Sequence, residues 1–148
     1  MILLAVPTAA AAHQDLDYSR KKYGAIMPDA YYDTLGRCET GGKHGNLKHS
    51  TRSYTGAFGL YRGTAWRWSG YRDVTHLNRR QQIRIADRIA FSGWERPGKP
   101  KVWNVGPFGW GAVRSGCGQL LEHLCHARHK RVQRYRARAC RLLEETRG

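Results

Sequence analysis

A helical pattern breaks off at Gly41-Gly42, and the residues just before the break are Arg37-Cys38-Glu39-Thr40. Paired glycines after apolar residues at helical spacing end a helix, because glycine readily takes the left-handed conformation of a C-cap. Pro28-Asp29 supply the matching start. Proline tolerates the first turn, and an acidic side chain complements the positive end of the helix dipole. Between these marks Tyr31, Leu35 and Cys38 fall on one face, with Tyr32 beside them. The expected element is a helix with one buried face that carries Glu39 in its last turn. No other acidic residue sits in so constrained a setting.

Residues 43–53 are polar and rich in Lys, His and Ser, which reads as a loop. Tyr54 to Tyr61 alternates aromatic or aliphatic residues with small ones, the pattern of a short glycine-loosened hairpin. Thr64 is expected to cap a brief helix through Trp66 and Trp68, stopped by Ser69-Gly70. Asn78-Arg79-Arg80-Gln81 has the form of a capping box, and Ile83, Ala86, Ile89 and Ala90 make an apolar stripe widened by Ile85. Gly93 closes that helix, and Pro97, Gly98 and Pro100 force an irregular connection. Residues 105–111 are too broken by glycine for a long helix. From Gln119 onward Leu120, Leu124, Ala127, Val132, Tyr135, Ala139 and Leu142 recur three or four apart, which predicts a helix to the end. Its surface is basic: eight Arg and Lys against three Glu, a net of +5 over residues 119–148. The fold class expected is α+β, mainly α.

The chain has 148 residues, the size of one ordinary domain, and 41% of them are hydrophobic, with five Trp and eight Tyr. That suffices for a packed core and excludes global disorder. The formal charge of +15 favours polyanions, whether nucleic acid, anionic headgroups or bacterial wall polymers. At the N-terminus, Ile2 to Val6 is apolar and Thr8 to Ala12 is small, so residues 1–12 read as the remnant of a signal peptide or as a plain tail. Residues 13–27 read as a linker. No stretch approaches the roughly 18 apolar residues of a membrane span.

The cysteines at 38, 117, 125 and 140 form no Cys-x-x-Cys pair. Cys125 and Cys140 lie about four turns apart along the expected C-terminal helix. A straight helix cannot join them, which implies free thiols or an intermolecular pair. His123, Cys125, His126 and His129 invite a zinc reading, but no second ligand pair completes a tetrahedron, so no metal is assigned. No cofactor is expected either.

Glu39 has two chemical readings. A general acid must hold its proton near neutral pH, whereas a free Glu titrates at about 4.3. The negative end of the helix dipole and desolvation by the chain's many aromatics both push it upward. The plain alternative is an exposed helix-end Glu paired with a neighbouring Arg.

Cys38-Glu39-Thr40-Gly41-Gly42 at a helix end resembles the start of the resuscitation-promoting-factor-type transglycosylase domain, a small lysozyme-like module that acts on peptidoglycan. The likeness continues in order through Gly59-Leu60-Tyr61, Thr64-Ala65-Trp66, Arg80-Gln81-Gln82-Ile83 with Ala86 and Arg88, and Gly106-Pro107-Phe108-Gly109-Trp110-Gly111. It covers about residues 29–117. It implies a lysozyme-like domain over 28–118, followed by a basic helical extension over 119–148. It also implies that Glu39 is the catalytic acid and that Tyr61, Thr64 and Trp66, with Tyr54 nearby on the hairpin, line a glycan groove. The chain departs from the family pattern at Tyr61, where Gln is usual, and at Lys43-His44-Gly45-Asn46, which intervenes after the glycine pair. Ala112 stands where the closing cysteine is common, so the expected disulfide is Cys38–Cys117.

The expected reaction is cleavage of the β-1,4 bond between N-acetylmuramic acid and N-acetylglucosamine. Two-carboxylate hydrolysis needs a partner about 5 to 9.5 Å from the acid. Asp29 and Asp33 share the Glu39 helix, and Asp87 reads as a surface ion pair with Arg84 or Arg88. Asp73 and Glu95 carry no positive signal, so a one-carboxylate transglycosylase scheme is the more economical. The expected partners are peptidoglycan strands, with anionic wall polymers on the basic C-terminal helix, in a secreted, wall-associated or phage-borne protein. The competing reading is a non-catalytic basic module that binds wall polymer or nucleic acid.

Overall fold

A computed structural model of the protein describes residues 25–91 and 106–147. The expected signal remnant, most of the linker, Gly93, Glu95 and the Pro97–Pro100 connection lie outside the described residues. The fold is mainly helical with one small antiparallel hairpin, in agreement with the α+β expectation.

Helix α1 (Asp29–Thr40) starts after Pro28 and ends at Gly41, whose φ is 83° and whose N–H bonds back to the Arg37 carbonyl. Tyr31, Tyr32 and Leu35 are buried along its inner face. The hairpin pairs β1 (Tyr54–Thr55) with β2 (Leu60–Tyr61), with Tyr54 opposite Tyr61 and Thr55 opposite Leu60. Helix α2 (Arg62–Ser69) follows β2 without a linker and ends at Gly70 in the left-handed conformation. Thr64 therefore lies inside the helix rather than capping it, and Tyr61 takes the cap position with no side-chain bond. The reason is Arg62. Its N–H bonds to the Ser53 carbonyl and its guanidinium to Ser50 Oγ and the Thr51 carbonyl, so the helix begins at the strand's end.

Helix α3 (Arg79–Phe91) starts with the capping box reciprocally made: Gln81 N–H to Asn78 Oδ1 at 2.9 Å, Asn78 N–H to Gln81 Oε1 at 3.0 Å. Its Gln82 is fully buried and joins four segments. Oε1 accepts from Ala57 N–H at 2.8 Å, while Nε2 faces the carbonyls of Leu47, Val74 and Leu77 at 2.9–3.1 Å. A buried amide satisfied on every side holds the hairpin loop against α3, and removing it would orphan several backbone groups.

Asp87 of α3 is not a surface ion pair. It is 1% exposed; Tyr32 Oη donates to Oδ1 at 2.5 Å and Ile26 N–H to Oδ2 at 3.2 Å. Met27 is buried, and its N–H donates to Tyr32 Oη at 2.9 Å. The last residues read as linker thus pack into the core, drawn in by the need to satisfy an acid buried under α1.

After a short 3-10 turn at Pro107–Gly109 come helix α4 (Gly111–Arg114), helix α5 (Leu120–Cys125) and helix α6 (Gln133–Arg147). The C-terminal segment is therefore a helical hairpin, not one straight helix, and Cys125 is bonded to Cys140. Neither thiol is free, contrary to expectation. Folding back buries Leu120, Leu121 and Leu124 together with Val132, Ala139 and Leu143 in the same cluster as the α1 and α3 stripes. A straight helix would leave half of these in water. The bend's carbonyls are satisfied by side chains, Gln133 Nε2 on Ala127 and His129, and Arg136 Nε on Cys125.

Candidate active site

Glu39 stands in the last turn of α1, half-buried, where three other segments converge. The first is the hairpin loop. Thr40 Oγ1 donates to the Ala57 carbonyl at 2.7 Å and accepts from Asn46 N–H at 2.7 Å, so the residue beside the acid pins both neighbouring loops. Gly36 and Gly45 allow the 44–45 turn this close to α1: a Cβ on Gly36 would lie 2.4 Å from the His44 carbonyl oxygen. The second is Gly59, with φ of 56°, which presents bare backbone to the acid. A Cβ there would sit 3.6 Å from Glu39 Oε2 and 3.7 Å from its Cβ.

The third segment is the Gly-Trp-Gly stretch. Trp110 Nε1 donates to the Phe58 carbonyl at 3.0 Å, and Ala112 N–H donates to Glu39 Oε1 at 3.4 Å. The Cys38–Cys117 disulfide forms as expected and ties the turn holding Glu39 to the chain after α4. Closing 79 residues, it stabilises by about 4 kcal/mol on the chain-entropy model.

Burial pushes the Glu39 carboxyl above its ordinary value, outweighing the Ala112 N–H and the Arg114 guanidinium, which pull it down. Glu39 has no ion-pair partner among the described residues, so the helix-end salt bridge of the plain reading is not formed. Arg114 donates instead to the carbonyls of Phe108 and Gly109.

The other carboxyls of the described domain are engaged elsewhere. Asp29 and Asp33 pair with Arg79, and His44 Nδ1 lies 2.8 Å from Asp33 Oδ1. Burial raises the Asp33 carboxyl, but hydrogen bonds from His44 and Arg79 bring it below its ordinary value. Asp73 accepts from the hydroxyl and N–H of Thr75 and from the Thr55 hydroxyl, which together lower it. Asp87 is sealed in the core.

The aromatics expected near a sugar lie on the hairpin and on α2. Tyr54, Tyr61 and Trp66 are the exposed large hydrophobic residues among those described. Tyr54 and Tyr61 form a cross-strand pair with ring centroids 6.2 Å apart, and Arg72 lies 5.3 Å over the Trp66 ring. Thr64 is partly exposed two residues before Trp66. Of these, Tyr61 is on the strand that follows Gly59, Tyr54 is on β1, and Thr64 and Trp66 are on α2. Gly59 and the Ala112 N–H touch Glu39 and the Arg114 charge acts on it, roles that the sequence reading did not assign to them. Gly59 had a signal in the glycine-rich hairpin and Ala112 one in its place after Gly-Trp-Gly, whereas Arg114 had none.

Among the described residues no three His, Cys, Asp or Glu gather as metal ligands, and the Cys125 sulfur is committed to Cys140. No helix among them is long and apolar enough to cross a membrane. Two disulfides are compatible with an extracellular protein. Compared with family models, curated proteins and solved structures, the chain matches none.

Proposed function

We propose that the protein cleaves the β-1,4 bond between N-acetylmuramic acid and N-acetylglucosamine in peptidoglycan, with Glu39 as the general acid and base. The observation that carries this reading is the state of Glu39: half-buried, raised by desolvation, without an ion pair among the described residues, and faced by the bare backbone of Gly59. A proton-retaining carboxyl that a substrate can reach is what glycosidic cleavage requires. The ordered resemblance of residues 29–117 to resuscitation-promoting-factor-type transglycosylases supports the same reading. So do exposed Tyr54, Tyr61 and Trp66, whose faces suit stacking on sugar rings.

In this scheme Glu39 protonates the oxygen linking the two sugars, and the bond to the muramic C1 breaks. The resulting carboxylate takes a proton from that sugar's own 6-hydroxyl, whose oxygen closes on C1. Atoms balance without water, and Glu39 ends protonated for the next cycle. Among the described residues Asp33, Asp73 and Asp87 are held in structural bonds and Asp29 shares the Glu39 helix, which favours this one-carboxylate route over hydrolysis with a second acid. The protein acts outside the cytoplasm, secreted, wall-associated or carried by a phage particle.

Mass spectrometry of peptidoglycan incubated with wild type and Glu39→Gln tests the reading. Anhydromuropeptides from wild type alone are expected; reducing ends would make the enzyme a hydrolase. Unchanged cleavage by Glu39→Gln would remove Glu39 from the chemistry. No cleavage by wild type, with salt-sensitive retention on polyanions, would leave a non-catalytic binding module.

A further inference from the structure

The arginines of α6 divide into two sets. Arg136 turns inward, binding the Cys125 carbonyl and Gln133 Oε1 at 3.0 Å each. Arg134, Arg138 and Arg141 are all exposed and, spaced by four and three residues, share one face of the helix. Among the described residues none of these three lies within ion-pair distance of a carboxylate. Glu145, a turn beyond Arg141, bounds the face without pairing to it. Like charges at this spacing repel, which works against the cation–π contacts of Arg134 on Tyr135 and Arg138 on Phe108. The row also leads toward Glu39. The Arg138 guanidinium lies 4.3 Å over the Phe108 ring, and Arg114, whose charge acts on Glu39, is bonded to the Phe108 carbonyl at 2.6 Å.

We propose that Arg134, Arg138 and Arg141 form a docking track for a phosphodiester-linked anionic wall polymer, holding the protein on the wall with the Glu39 site beside its glycan. Their backbone positions rise about 4.5–6 Å from one to the next along the helix, within reach of successive phosphates on a linear polymer. A lipid surface fits less well, because every exposed large hydrophobic among the described residues lies on the hairpin or α2, not on this face. Disulfides at both ends of the fold fit a compartment where wall polymer, not nucleic acid, is the abundant polyanion. The choice of a wall polymer rests on the proposed peptidoglycan activity; the track itself does not.

The test uses the Glu39→Gln full chain, which separates retention from cleavage, in co-sedimentation with walls that carry polyol-phosphate polymer and with acid-stripped walls. Replacing Arg134, Arg138 and Arg141 together by Gln is expected to weaken retention on intact walls about 10- to 100-fold and to flatten its salt dependence by about two log units per log unit. An equal-charge control, Lys48, Arg52 and Arg80 replaced by Gln, is expected to bind like the parent. Retention by the α6 variant equal to that of the control overturns the track. So does equal retention on stripped walls, or tighter binding of duplex DNA or anionic vesicles at the same salt. Muropeptide release by the wild type is scored separately: its absence sinks the catalytic reading and leaves the retention result standing.

Discussion

Glu39 and Asp87 are two carboxyls that burial raises above their ordinary values, yet they sit in opposite surroundings. Asp87, in the middle of α3, is pushed up to about 7 by desolvation despite bonds from Tyr32, Ile26 and the nearby Arg84 charge. Both donors reach it in the sealed core. Among the described residues Glu39 accepts one long bond, from Ala112, faces Gly59 and stays partly exposed. The larger shift belongs to the residue that no substrate can touch. A perturbed acid becomes a candidate catalyst only when one side is left free, and here Glu39 keeps partial exposure while Asp87 is buried.

Substitutions at four sites press on this contrast. The largest expected effect is Glu39→Gln, a loss of about 10²- to 10⁴-fold in muropeptide release with the melting temperature unchanged or raised. A comparable loss from Asp87→Asn at equal folded fraction would reverse the two assignments. Second is Asp87→Ala, which orphans the Tyr32 hydroxyl and the Ile26 N–H and is expected to cost about 2–4 kcal/mol in urea unfolding. Asp87→Asn, which still accepts a bond, is expected to cost less.

The sign of the pH dependence follows from the same residue. Its proton is held more tightly in the folded state, so between its ordinary value of 3.8 and about 7 the native protein binds more proton than the unfolded chain. That contribution to stability is complete below 3.8 and is lost as pH rises to about 7. Chemical unfolding followed across this window is expected to show the decline in wild type and a flatter profile in Asp87→Asn.

Third is Gly59→Ala. The methyl would strain a φ of 56° and occupy space 3.6 Å from Glu39 Oε2, costing about 1 kcal/mol of stability and lowering cleavage more than the folded fraction. Smallest is Arg114→Gln. It removes a cation that lowers the Glu39 carboxyl, so the alkaline limb of the cleavage profile, where Glu39 loses its proton, is expected to move to higher pH. A shift to lower pH would show that Arg114 does not act on Glu39 by charge.

Much of this contrast is invisible along the chain. Asp87 looks like any helix acid flanked by arginines, and its partners lie 55 and 61 residues away. The bend between α5 and α6 contains neither Gly nor Pro, so the helical period runs through it unmarked. The helix end that carries Glu39 was legible because its signals are local, whereas the catalytic reading of Glu39 came from the ordered resemblance. A helix stop at Gly41, the glycine of the hairpin and a cysteine beside the acid are all written within a few residues of one another or in a repeating order.

The sequence by itself determined what short-range sterics and capping decide. These are the end of α1 at a positive-φ glycine, the Asn78–Gln81 box, the Tyr54–Tyr61 hairpin and the basic, helical C-terminus. Family likeness added the Cys38–Cys117 pairing. Tertiary structure decided what requires distant groups to meet: the burial of Asp87 under Tyr32, the fold-back that joins Cys125 to Cys140, and the convergence of Gly59 and Ala112 on Glu39. The physical reason is that desolvation belongs to a place and not to a residue. A carboxyl's proton affinity follows from what packs around it, and that packing is set by the whole core.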